Sequence, residues 1–251
     1  MFIEPTRAAD SDPLVIAVVG AGACVLPSWL ASLSPRCRVA AVECSSEVIE
    51  AARRCFGLND APPARLQVLI DEGVSFVNQC ARGSYDAMLV TAGGLPVLNG
   101  ACSGEQLAPP ASMTGKDFAA AVLRALRPGG LYAVNILCRT EEGSAELLEQ
   151  IRDRLVDTGF DPGSVHVATS GARPQRNFLL FATAPAASAA VAKELCATEL
   201  LARYGEVVGS PAEKTDDGRT LLASVRWQCF EQWKRENHGS FTTSGLNESV
   251  H

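Results

Sequence analysis

Gly20, Gly22 and Glu43 are the first residues whose types and order suggest chemistry. The β-branched and aliphatic run Leu14 to Val19 (LVIAVV) stops at Gly20-Ala21-Gly22. The helical apolar pattern of Val25, Leu26, Trp29 and Leu30 starts directly after it. That succession predicts a buried strand, a tight turn and a helix. Glycine reaches positive φ at little cost and, lacking Cβ, lets a ligand approach the backbone closely. The first amides of the following helix have no partner inside it and carry a partial positive charge. A strand, a glycine turn and a helix in this order make a nucleotide-binding element.

A second strand, Arg38 to Val42, ends in Glu43, where a carboxylate accepts hydrogen bonds from both hydroxyls of a ribose. A dinucleotide fingerprint asks for glycine or alanine at the place Val25 occupies, to let the diphosphate come close. Two glycines, a ribose acid and no third glycine therefore suit S-adenosylmethionine, which has no diphosphate, better than NAD. The glycine turn taken alone also fits a connection in a nucleotide-free α/β domain.

The elements that position these residues follow from periodicity. Helices are expected to about Leu33, from Ser45 or Ser46 to Phe56 (Val48, Ile49, Ala52 and Cys55 on one face), and over 74–81, 114–126 and 144–158. Further strands are expected over 65–70, 85–90 and 131–138, with Arg127-Pro128-Gly129-Gly130 closing the helix before the last of these. Residues 91–112 form a long Gly- and Pro-rich segment of the kind that serves as a substrate loop. Strands 165–169 and 177–183 form an antiparallel hairpin at the sheet edge. The whole is an α/β fold with a doubly wound, mostly parallel seven-stranded sheet, which binds ligands at the carboxyl ends of its strands. Residues 1–12 read as a flexible arm, 13–185 as the α/β domain, 186–236 as C-terminal helices with a polar linker, and 237–251 as a disordered tail. Within the extension, Leu222, Val225, Cys229 and Trp233 form one helical apolar stripe, expected to pack on the parent domain or to serve as a homodimer or partner contact.

The chain of 251 residues carries 28 acidic and 22 basic residues, a net charge of −6, which excludes a broad nucleic-acid footprint. Its nine cysteines contain no CxxC pair, and their scatter through strands and helices reads as reduced thiols in a cytoplasmic protein. The N-terminus has no apolar signal segment, and no apolar run is long enough to cross a membrane. With three histidines and no clustered cysteines, a metal site has no support. His166 reads as a surface or core histidine of the hairpin.

With the strand ends in place, the chain resembles the class I S-adenosylmethionine-dependent methyltransferases. Within them it resembles the spermidine synthase-like branch, and there the C-terminal domain of the dual lysine and N-terminal methyltransferases of translation elongation factor 1-alpha. The resemblance rests on GAGACVLP at 20–27, AVE at 41–43, Phe56-Gly57, DEGVSFV at 71–77, YDAMLV at 85–90, LAPP at 107–110 and LRPGGLYAVNILCR at 126–139. It implies a Rossmann-like methyltransferase fold and S-adenosyl-L-methionine as cofactor. Gly20, Ala21 and Gly22 would run under the methionine part, Glu43 would hold the ribose and Cys44 would pack on the adenine. Glu72-Gly73 would take the place of an Asp-Gly that holds the adenine amino group, while Asp71 would be solvated or cap the next helix. The implied acceptor is an amine of a protein, a lysine or an N-terminus, as on a translation factor.

One departure stands out. The family carries an aspartate after its YDxxxx strand to orient the attacking amine; here Thr91 follows, and no acidic residue appears until Glu105. Thr91, or the Asn99 amide, is the candidate hydrogen-bond acceptor in its place. Restoring aspartate at position 91 would then be expected to raise activity. The missing acid also leaves open a methyltransferase-like protein that binds a partner without catalysis. It argues against polyamine aminopropyl transfer, and Val25 argues against a nicotinamide oxidoreductase.

Overall fold

The computed structural model describes residues 13–93, 106–169, 177–186 and 226–241. β1 (Leu14–Val19), β2 (Cys37–Glu43), β3 (Leu66–Ile70), β4 (Tyr85–Val90) and β6 (Leu126–Cys138) are parallel, in the order β3-β2-β1-β4-β6. β8 (Asn177–Thr183), β7 (His166–Thr169) and β9 (Arg226–Cys229) continue the sheet with antiparallel pairings, and the short β5 (Gln106–Ala108) pairs with the end of β6. The order runs outward from β1 to β3 on one side and from β4 on the other. The chain therefore reverses direction across the sheet between β1 and β4, the place where open α/β sheets bind ligands.

Alternation along each buried strand divides the core. On β1, Ile16 and Val18 join Val39, Ala41, Leu30, Ala31, Ile49 and Ala52 under α1 (Val25–Leu33) and α2 (Ser46–Cys55). Ala17 and Val19 face the opposite way, into a larger layer with Met88, Val90, Phe76, Val122, Leu148 and Ile151. That layer is covered by α3 (Gly73–Gln79), α4 (Lys116–Ala125) and α5 (Glu141–Thr158). Both faces of the parallel part are thus buried, which is why its strands read as continuous apolar runs.

The structure corrects the expected layout in several places. Among the described residues seven strands become nine, because β5 lies inside the segment expected to be irregular and β9 lies inside the C-terminal segment expected to be helical. The hairpin of β7 and β8 is consequently not the sheet edge, since β9 pairs outside β7. Helix α6 (Phe230–Phe241) begins only after β9 and runs into the stretch expected to be a tail. The apolar stripe is therefore split. Leu222 and Val225 lie outside the described residues, Cys229 ends a strand and is exposed, and only Trp233 is a buried helix residue. Trp233 packs edge-on to Phe178 at 5.6 Å and beside Phe230 at 5.7 Å, so this residue packs on the parent domain. Arg152 lies 5.1 Å over the Phe230 ring and pairs with Glu231, and Lys234 reaches Glu149 on α5 at 3.2 Å. On α2, Ile49 and Ala52 are buried whereas Val48 and Cys55 face solvent, a narrower stripe than expected.

Arg127-Pro128-Gly129-Gly130 is not a turn ahead of β6 but an excursion within it. Tyr85 pairs with Leu126 and Ala87 with Leu131, so the four residues between bulge out. The excursion is fastened to the end of β8 by Gly129 N–H donating to Ala184 C=O at 3.1 Å and Ala184 N–H to Gly130 C=O at 2.8 Å. A Cβ on Gly130 would come within 2.9 Å of the Arg127 carbonyl, so glycine is required there. Arg127 turns inward to Asp86, Nη1 to Oδ2 at 2.5 Å, while the same oxygen accepts the Val15 N–H at 2.8 Å. Asp86 is 2% exposed and sits near the amino ends of β1 and β4, away from the ligand end of the sheet. Removing the Arg127 guanidinium would take a charged partner from a buried carboxylate. Arg127→Met should therefore lower unfolding free energy by about 3 kcal/mol, with a smaller loss for Asp86→Asn, read as chemical-denaturation midpoints.

Candidate cofactor site

The site is built from the backbone of the turn after β1. Gly20 and Ala21 both donate their amides to the Val42 carbonyl at 2.9 Å, and Gly22 N–H donates to Glu43 Oε2 at 2.9 Å. Glu43 Oε1 accepts from Ser45 N–H at 3.1 Å and from the Cys44 thiol at 3.5 Å. A carboxylate has about four acceptor positions, so these three contacts leave about one open to a donor from a ligand, and a second if the long thiol contact gives way. Gly20, Ala21, Gly22 and Glu43, expected to act together, are brought together by the end of β2.

The two glycines do different things. Gly20 has φ +82, and a Cβ there would lie 2.3 Å from the Ala92 Cα, so the backbone of the β4 end occupies the space a side chain would need. Gly22 has φ +54, and a Cβ there would meet nothing within 4 Å. One glycine closes the turn against the neighbouring strand end and the other borders open space. Cys24 completes the turn in the left-handed region, φ 58, as the residue before α1, and no side chain caps that helix. Val25, at the third-glycine place, opens α1 and is 59% exposed.

Cys24 is fully buried. Burial, and then the Glu43 charge, push its thiol above the ordinary cysteine range. The Cys44 thiol is also pushed up, first by desolvation and then by its hydrogen bond to Glu43. Both therefore stay protonated at neutral pH, and neither is a thiolate nucleophile. Cys44 is exposed at the end of β2 beside Glu43.

After β3 the roles differ from expectation. Glu72 is the N-cap of α3, its Oε2 accepting from Ser75 N–H at 2.8 Å, while Asp71 Oδ1 accepts from the Glu72 amide at 2.8 Å. Of the two roles expected of Asp71, solvation or capping, the cap is made by Glu72, one of whose oxygens is engaged. Gly73 is buried, and a Cβ there would meet Val19 Cγ1 and Met113 Cε at 2.5 Å. It is a packing glycine between β1 and the segment before α4. Thr91 directs its hydroxyl to the Gly20 carbonyl at 2.8 Å, and its amide donates to the Val19 carbonyl at 2.9 Å. Asn99 and Glu105 lie outside the described residues. Ala92, Cys24 and Met113 went unnoticed in the sequence. An alanine, a cysteine and a methionine carry no local signal of a close backbone approach, a left-handed turn or a contact to a distant glycine. His166 hydrogen-bonds through Nδ1 to the Ser164 carbonyl at 3.1 Å, on β7 and separated from β1 by β4, β6 and β8.

The difference between the glycines is measurable. Gly20→Ala combines a left-handed residue with a clash against backbone and should cost about 3 kcal/mol of stability or more. Gly22→Ala should cost only about 1 to 2 kcal/mol. Thermal denaturation of the two variants checks this ordering.

No protein-family model matches the chain. It is 29% identical over 150 residues to the eEF1A lysine and N-terminal methyltransferase homolog of Drosophila melanogaster, covering 59% of this chain and 21% of that protein. The chain thus spans about a fifth of the length of that relative. Among solved structures, human methyltransferase-like protein 13 in complex with SAH superposes with a TM-score of 0.57 at 24% identity, over 83% of this chain and 82% of that one. A probable spermidine synthase from Corynebacterium glutamicum superposes with a TM-score of 0.61 at 20% identity, over 97% of this chain and 75% of that one. The chain therefore has the Rossmann-like fold shared by the spermidine synthase-like methyltransferases, and in sequence it is similar to the eEF1A lysine and N-terminal methyltransferases.

Proposed function

We propose that the chain binds S-adenosyl-L-methionine and transfers its methyl group to an amine of a protein, a lysine or an N-terminus. The observation that carries this is the Glu43 carboxylate, tied to the Gly22 amide at 2.9 Å beside open space, at the place where the strand order reverses. The cradle passes a test of fit. Its turn is shaped by one glycine that excludes side chains and another that leaves backbone accessible, and its acid sits at the neighbouring strand end. The solved relative in complex with SAH supports the same cofactor.

When bound, the cofactor supplies an activated methyl group on a sulfonium. The chain's own residues bind and orient. Gly22 would present backbone to the methionine part, Glu43 would accept from the ribose hydroxyls, and Cys44 and the oxygen of Glu72 not engaged in capping would serve the adenine. Methyl transfer is an in-line displacement, so most of the catalytic gain comes from holding the amine in line and from its arriving deprotonated. Asn99, expected beside Thr91 on the acceptor side, lies outside the described residues, and the Thr91 hydroxyl is already engaged by the Gly20 carbonyl. No helix among the described residues is long and apolar enough to cross a membrane. A protein acceptor in the cytoplasm is consistent with the mild acidity of the chain, and a homodimer or partner contact through 186–236 is part of the same proposal. The Thr91 contact to Gly20 also favours a second reading, a methyltransferase-like protein that binds cofactor and partner without transfer, because none of the described residues directly after β4, 91–93, is a carboxylate.

Two experiments separate these. Calorimetric titration with S-adenosylhomocysteine should show saturable binding that Glu43→Ala weakens by about 2 to 4 kcal/mol, the scale of bonds to a charged acceptor. Incubation with methyl-labelled cofactor and purified elongation factor 1-alpha should label the factor, while putrescine with decarboxylated cofactor should give no product. Binding without labelling of that factor or of any protein in a cell extract would leave the partner-binding reading.

A further inference from the structure

We infer that Thr91 is a positioning residue that clamps the glycine turn, rather than a weakened substitute for an amine-orienting acid. This rests on the cofactor reading above. The Thr91 hydroxyl has one proton, and Oγ1 lies 2.8 Å from the Gly20 carbonyl oxygen. That carbonyl has no proton to give, so Thr91 is the donor. The backbone contact is equally close: Thr91 N–H holds the Val19 carbonyl at 2.9 Å, and the Cα of Ala92 fills the space where a Cβ on Gly20 would go. On its other side the turn is held through Gly22 by Glu43. Thr91 and Glu43 thus grip the turn from two strand ends, one donating to its first carbonyl and the other accepting from its third amide.

The consequence reverses the expectation drawn from the sequence. An ionised aspartate at position 91 has only acceptor oxygens. In the place of the threonine hydroxyl it would face the Gly20 carbonyl with no proton between them, so it would have to swing away or be protonated. Thr91 and the present form of the turn belong together. Reintroducing the acid alone removes the clamp before it offers anything to a substrate.

The test compares Thr91→Val, which keeps the shape and removes the donor, with Thr91→Ser, which keeps the donor, and Thr91→Asp. Titration with S-adenosylhomocysteine should show about a fivefold to tenfold loss of affinity for the valine variant, the scale of one hydrogen bond. The serine variant should stay within about twofold of the wild type. The aspartate variant should lose at least as much as valine, with no gain in turnover. Wild-type affinity in Thr91→Val with turnover alone reduced would place the hydroxyl on the substrate and overturn the clamp, as would increased turnover in Thr91→Asp. Amide hydrogen exchange in the ligand-free protein reads the clamp independently of the cofactor. Exchange at Gly20 to Gly22 should quicken in Thr91→Val and not in Thr91→Ser, and equal protection in both overturns the proposal. If wild type binds no S-adenosylhomocysteine, the cofactor reading fails while this exchange comparison still decides the clamp. If Thr91→Val does not fold, the contrast of Thr91→Ser with Thr91→Asp decides it.

Discussion

Three consecutive amides, those of Gly20, Ala21 and Gly22, are held by acceptors from the end of one strand, the Val42 carbonyl and the Glu43 carboxylate. This constraint underlies the site. A turn that must leave backbone open to a ligand has few side chains with which to stabilise itself, so its order has to come from neighbouring strands. β2 supplies the acceptors, β4 supplies the backbone of Ala92 that makes glycine obligatory at position 20, and both strands stay in register because they flank β1 in a parallel ladder. Glu43 contributes in the ligand-free protein as an organiser of the turn and, on the proposed function, as the ribose acceptor once cofactor arrives.

The opposite end of the sheet has a complementary role. Two of the most recognisable sequence fragments, YDAMLV and LRPGG, meet there through Asp86 and Arg127 near the amino ends of the strands. Their conspicuousness reflects a buried ion pair and a bulge that only glycine fits, not chemistry on a ligand. Labour is thereby divided along the strands, with charge buried for stability at the amino ends and backbone polarity left accessible at the carboxyl ends. The C-terminal β9 and α6 extend the sheet and cover α5 and β8, far from the glycine turn in strand order.

Much of this was legible in the sequence, for identifiable reasons. Leu14 to Val19 had to be a buried strand because both of its faces are apolar, and Ile16 with Val18 and Ala17 with Val19 do separate into two core layers. Ser45 was readable as a helix cap because the interaction is local, and its hydroxyl accepts the Val48 amide at 3.2 Å. The failures share a cause as well. Four residues from Arg226 to Cys229 form a strand only because β7 offers an edge, and nothing in their own pattern announces a partner some sixty residues earlier in the chain. The excursion at Arg127 to Gly130 looked like a helix stop because proline and glycine punctuate both.

The succession of elements from β1 to β4, the glycine turn and the acid at the end of the second strand were readable from the sequence, since these depend on residue type and on contacts within a few positions. Tertiary structure alone decided what those residues do to each other. Which glycine is needed for space and which for access depends on Ala92, seventy-odd positions away. Whether Glu72 is free or capping depends on where α3 begins. Whether Thr91 faces a substrate or a carbonyl depends on the side-by-side placement of β1 and β4. A hydroxyl's role is set by the partner within hydrogen-bond reach, and for Thr91 that partner comes from a strand distant in sequence.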